Sequence, residues 1–185
     1  METTSAATTT RRPFARLELK HGTSLQRLLG RKPRENAWIE VNNLLADSDS
    51  VRDVRPEQVA HIAARYRIPL RGEFLGRLER IYRDYLLFCL ADARLSPDEL
   101  SDLAHLKRIL RLNDRALCEI HERVARQVYA QSVDAVLADG RIDPAERDFL
   151  DTLQQHLAIS GAVVDRIMQA RRARILDDHA AAPHA

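Results

Sequence analysis

Apolar residues recur along this chain at intervals of three and four, the spacing that places one side of an α-helix against a core. Trp38, Val41 and Leu45 mark a first long helix, and Phe74, Leu78, Ile81, Tyr85 and Phe88 a second. Leu117, Ile120, Val124 and Val128 begin a third that runs to Leu137 behind an Asn113 cap, and Val163, Val164, Ile167 and Met168 mark a fourth after Ser160. Shorter segments lie between them, carrying Leu100, Leu103 and Leu110 in one case and Phe149, Leu150, Leu153 and Leu157 in another. The pattern predicts an all-α protein of stacked helical hairpins, about seven helices without strands.

A repeat organises these elements. Leu-Ala-Asp occurs at Leu45–Asp47, Leu90–Asp92 and Leu137–Asp139, and a proline follows each copy, at Pro56, Pro97 and Pro144. The second and third copies align without a gap as LADARLSPDELSDLAHL and LADGRIDPAERDFLDTL, whereas the first carries an insertion before its proline. Each copy stops one helix and starts the next. Ser96, Pro97 and Glu99 have the residue types of an N-cap, a first helical position and the third residue of a capping box, and Asp143, Pro144 and Glu146 repeat them. Each such cap contributes about 1 kcal/mol.

Composition divides the chain further. Residues 1–34 hold Arg11, Arg12, Arg16, Lys20, Arg27, Arg31, Lys32 and Arg34 against only Glu2 and Glu18. They are read as a basic, mostly disordered arm, with a short helix over Ser24–Leu29; the Ser- and Thr-rich first 12 residues with Arg11 and Arg12 also have the composition of a transit peptide, the alternative reading. Residues 35–176 are read as the helical repeat domain and 177–185 as a disordered tail. The whole chain has a formal charge of +2, too small to imply a nucleic-acid coat. Cys89 and Cys118 lack the paired spacing of zinc or redox motifs and read as reduced thiols. The longest apolar run, Tyr85 to Ala91, falls far short of the roughly 20 residues that span a bilayer, so no integral membrane segment is expected. With no apolar stretch of a secretory signal near the start, the expected location is cytoplasmic.

From Leu137 through Asp139-Gly140-Arg141-Ile142-Asp143-Pro144 to Glu146, and on into the Phe149 and Leu150 helix, the chain resembles the TerB-like family of helical domains, known from bacterial tellurite resistance and from some co-chaperones. The threefold Leu-Ala-Asp arrangement is also similar to the helical repeats of the large scaffold in the chloroplast inner-envelope import machinery. The TerB-like resemblance implies helix-turn-helix repeats and a non-enzymatic, stress-associated interaction domain.

The Asp139–Glu146 turn also reads as the second half of a calcium loop, with Ala135 and Leu137 where the first two carboxylates belong. Asp139, Asp143 and Glu146, joined by Asp92 and Glu99 of the preceding copy, are the candidate metal ligands. The missing carboxylates predict binding weaker than the sensor range of about 10⁻⁷ to 10⁻⁵ M. The alternative is a helix corner, in which Asp143 simply caps. His121-Glu122 begins a zinc-protease motif that fails at Ala125, and Cys118 with His121 supplies no third catalytic member. No enzyme and no cofactor beyond a weak divalent cation is expected.

Arginines collect at the turns opposite the Leu-Ala-Asp copies: Arg65, Arg67 and Arg71 at one, Arg108, Arg111 and Arg115 at the other. Guanidinium forks there suit an acidic protein segment or phosphate groups. The leading function is a non-catalytic adaptor that docks a protein partner. The alternatives are a divalent-metal stress domain and association of the basic arm with an anionic membrane or nucleic acid, the last weakened by the lack of aromatics around the arm beyond Phe14.

Overall fold

The computed structural model describes residues 13–22, 24, 33–68, 74–92, 94–137 and 141–181, the last seven of these by their backbone. Among them seven α-helices and no strand occur: α1 Asn36–Asp47, α2 Pro56–Arg65, α3 Leu75–Cys89, α4 Pro97–Leu110, α5 Asp114–Val136, α6 Pro144–His156 and α7 Gly161–Ala181. Short 3-10 turns stand at Val51–Asp53 and Leu90–Asp92. The all-helical class expected from the sequence is the class observed. Of the short helix expected over Ser24–Leu29, only Ser24 lies among the described residues.

Local chemistry accounts for where these helices start. Ser96 and Glu99 bond reciprocally: the Glu99 amide donates to Ser96 Oγ (3.3 Å) and the Ser96 amide to Glu99 Oε2 (2.8 Å). At α6 the Glu146 amide donates to Asp143 Oδ1 and the Asp143 amide to Glu146 Oε2, both at 2.8 Å. Even the weak first copy keeps half of the arrangement, since the Arg55 amide donates to Gln58 Oε1 (2.7 Å) ahead of Pro56. Its insertion is absorbed by the Val51–Asp53 turn, capped by Ser50 and Asp53.

The ends of the short helices repeat as well. Arg67, Arg111 and Ala158 follow α2, α4 and α6 with φ of 52°, 54° and 52°, the left-handed conformation that closes a helix. After Arg67 and Ala158 the chain bonds back as such a cap requires, Ile68 N to Ala63 O (2.9 Å) and Ile159 N to Gln154 O (3.1 Å). An apolar residue comes next in every copy: Ile68, Leu112 and Ile159. A side chain with a Cβ pays a steric penalty in this conformation that glycine avoids. Ala158→Gly is therefore expected to stabilise the protein by about 0.5–1 kcal/mol net of glycine's greater unfolded-state freedom, read as a rise in the urea midpoint with unchanged slope.

The chain forms two compact units, Met1–Tyr85 with Asp102–Arg111, and Leu86–Ser101 with Leu112–Ala185. In the first, α1 buries Ala37, Ile39, Val41 and Leu45, α2 buries Val59 and Ile62, α3 buries Leu78, Ile81 and Tyr85, and the α4 portion buries Leu103, Leu106 and Ile109. Asp102 ties this unit together at its margin, receiving the Tyr85 hydroxyl (2.7 Å) and pairing with Arg52 (2.7 Å). In the second, Tyr129, Val133, Val136 and Leu137 of α5 pack with Leu150 and Leu153 of α6, and Val164, Ile167 and Met168 of α7 close the cluster. Burial, with the nearby Asp151 and Asp165 charges adding, pushes the Tyr129 hydroxyl above its ordinary pKa, so the phenol stays neutral.

Candidate functional site

Within the second unit lies a half-open groove of about 900 Å³. Its apolar wall is built by Leu86 and Leu90 from the end of α3, Leu95, and Leu157, Ile159 and Val163 around the α6–α7 turn. Leu157 and Ile159 flank the left-handed Ala158, and all three line the groove. One exposed stripe of α5 supplies the polar lip, with Cys118, His121, Glu122 and Arg126 one turn apart, and Arg94 and His156 complete it. Arg126 and Glu122 form an ion pair. Partial desolvation beside the groove lowers the pKa of His121, which favours its neutral imidazole. An apolar trough with a mixed-charge lip suits the side chains of a docked polypeptide, with the lip orienting its polar groups.

The first unit holds a second binding arrangement, and it is already filled. Residues 13–22 run without helix beside α1. Asn36 and Asn42 of α1 are both buried, which requires hydrogen-bond partners for their amides. They find them on the main chain of that segment. Asn43 takes both polar groups of Leu17, accepting from its N–H (2.8 Å) and donating to its carbonyl (2.8 Å). Asn36 does the same for Lys20, at 2.8 and 2.9 Å, and Asn42 donates to the Ala15 carbonyl (2.8 Å). Phe14 is buried and stacks on Tyr85, with ring centroids 5.7 Å apart. Arg16 pairs with Asp47 (3.1 Å) and Lys20 with Glu35. The Lys20 hydrogen bond and charge hold the Glu35 carboxyl below its ordinary range.

The residues singled out from sequence are placed as follows. Asp143, Glu146 and Glu99 spend their carboxylates on helix caps, and Asp92 accepts the Arg94 amide (3.1 Å). Asp139 lies outside the described residues. Among the described residues no three of His, Cys, Asp or Glu gather to hold a metal ion. Arg65 pairs with Glu40 and lies 5.6 Å from the Tyr66 ring centroid. Arg108 meets His105 Nδ1 at 3.0 Å and Arg115 pairs with Glu119 at 3.1 Å. Arg67 and Arg111 serve first through their backbone as left-handed caps, and their side chains are exposed. Arg71 is outside the described residues. The first four of these arginines in chain order, Arg71 aside, belong to one unit, and Arg115 to the other.

Comparison with known families supports one of the two resemblances. The sequence profile named Tic110, chloroplast envelope transporter, matches residues 22–151, well over half of the chain and parts of both units. The chain belongs to the Tic110 family. Protein TIC110, chloroplastic, of Arabidopsis thaliana is 25% identical over 101 residues, covering 48% of this chain and 10% of that protein, so the chain spans about a tenth of that relative's length. No solved structure matches. The import-scaffold resemblance is the one these matches carry. The TerB-like resemblance, with the stress association it implied, is not.

The cytoplasmic location expected from the sequence is overturned by the same match, because the family is one of the chloroplast envelope. Free thiols and a lack of apolar spans mark any reducing compartment, so those cues had no power to separate one from another. Among the described residues no helix is long and apolar enough to cross a membrane.

Proposed function

We propose that this chain is a non-catalytic helical scaffold segment of a protein-import assembly at the chloroplast envelope, holding protein partners on its surface. The supporting observation is the family match across residues 22–151, on an architecture of capped helical hairpins. Such repeats present many side chains on rigid elements and suit contact more than chemistry. The second unit's groove supplies one contact surface, where Leu90, Leu95 and Ile159 would receive apolar side chains and Arg94 and Arg126 would orient an acidic flank. The exposed Arg67, Arg108 and Arg111 are proposed as further contacts for acidic segments.

The test is where the chain sits and what it holds. Expressed in plant cells with a C-terminal tag and photo-crosslinked through a probe at position 95, it is expected in the envelope fraction, joined to import-machinery proteins. Recovery from other fractions alone, or crosslinks only to abundant stromal enzymes, would overturn the proposal.

A further inference from the structure

The contacts between α1 and residues 14–20 have the form of a peptide-recognition site. Three asparagines of one helix read the main chain of an extended segment, and two of its side chains add charge contacts. The spacing shows why helix and strand fit. Asn36 and Asn43 are seven residues apart, about 10.5 Å along a helix at 1.5 Å per residue. Lys20 and Leu17 are three residues apart, about 10 Å along an extended chain. The two run antiparallel, so that Asn36 and Asn43 each meet one residue's N–H and C=O together, while Asn42 donates to the Ala15 carbonyl between them and the buried ring.

This recognition is largely independent of sequence. Leu17 and Leu19 are 36% and 46% exposed, so their side chains contribute little to holding the segment. What the site does read is short: an aromatic ring for Tyr85, a cation two residues later for Asp47, and a cation four residues after that for Glu35. Both ion pairs are exposed, and exposed pairs contribute only about 0–1 kcal/mol each. A segment anchored by one buried ring and a few main-chain bonds opens more readily than a core element. The clamp residues lie inside the span matched to the family and residues 14–20 lie before it.

We infer that the asparagine face of α1 is a docking site for an extended segment of a partner polypeptide, bearing an aromatic residue followed by basic residues at the second and sixth positions beyond it, and that residues 14–20 occupy it in cis until displaced. This goes beyond the scaffold reading by naming the form of segment bound. The two fail separately, since the exchange is measured on purified chain and the envelope placement in cells.

A linked segment acts at a millimolar effective concentration, so an identical segment in trans competes poorly until the cis copy is weakened. The probe is a fluorescein-labelled peptide of residues 11–22, RRPFARLELKHG, added to the full-length chain and read by anisotropy. Phe14→Ala in the cis segment, which removes its buried ring, is expected to raise probe affinity at least about tenfold over the unaltered chain. Adding Asn36→Ala and Asn43→Ala to that variant is expected to remove the gain. A probe N-methylated at Leu17 and Lys20, which cannot donate to the asparagines, is expected to bind at least about tenfold more weakly, and this arm requires no change to the protein. Equal affinity for the unaltered and cis-weakened chains overturns the inference, as does equal binding of the N-methylated probe. A concentration-dependent dimer of the cis-weakened variant by light scattering would make the occupant a second copy of this chain and overturn the partner assignment.

Discussion

Leu153→Ala is expected to destabilise the second unit by about 2–5 kcal/mol, the range for a leucine removed from a packed core. Leu153 is 1% exposed and sits where Tyr129, Val133 and Leu150 converge with the flank of α7. Deleting its methyl groups leaves a cavity that rigid helices on either side cannot close, and the lost dispersion adds to the lost transfer energy. Leu106, at 0% exposure, is the equivalent residue of the previous copy in the first unit. Denaturation followed by residue-resolved amide exchange is the measurement. Leu153→Ala should cost protection first in α5 and α6, and Leu106→Ala first in α1 and α2. A loss below about 1 kcal/mol at either position would show that the site collapses around the truncation.

Phe14→Ala is expected to release residues 14–20 from α1 while the helices stay folded. Burying a phenylalanine ring contributes about 1.5–3 kcal/mol, and the Phe14 ring is the only buried apolar anchor that the described part of the segment supplies. At 1.4 kcal/mol per tenfold change, amide exchange at Leu17 and Lys20 should accelerate about 10- to 150-fold. Amides in the middle of α2 should be unaffected. Unchanged protection at Leu17 would mean that the asparagine bonds hold the segment without the ring.

The helices were legible before any fold was known because what makes them is local. Apolar residues at three- and four-residue spacing, proline at the first helical position and Ser96–Glu99 or Asp143–Glu146 in capping registers act within a single turn. The same locality made the repeat visible and, with it, the resemblance to an import scaffold. The left-handed ends escaped, since Arg67, Arg111 and Ala158 are not glycines and no residue type announces that conformation at these positions. The arginines drew attention as charges, yet at Arg67 and Arg111 the backbone carries the structural role.

The asparagine clamp depended entirely on tertiary structure. Asn36, Asn42 and Asn43 read in sequence as ordinary polar helix positions, and residues 14–20 as part of a basic arm. Nothing in either segment names the other, because the recognition runs through main-chain N–H and C=O groups that every residue carries. The groove of the second unit has the same origin, drawing on α3, α5 and the α6–α7 turn, whose side chains are separated by up to 77 residues between Leu86 and Val163. Sequence thus determined the elements and their ends, where each interaction spans a few residues. The binding surfaces were decided by which elements meet, and that is set by the packing of whole helices.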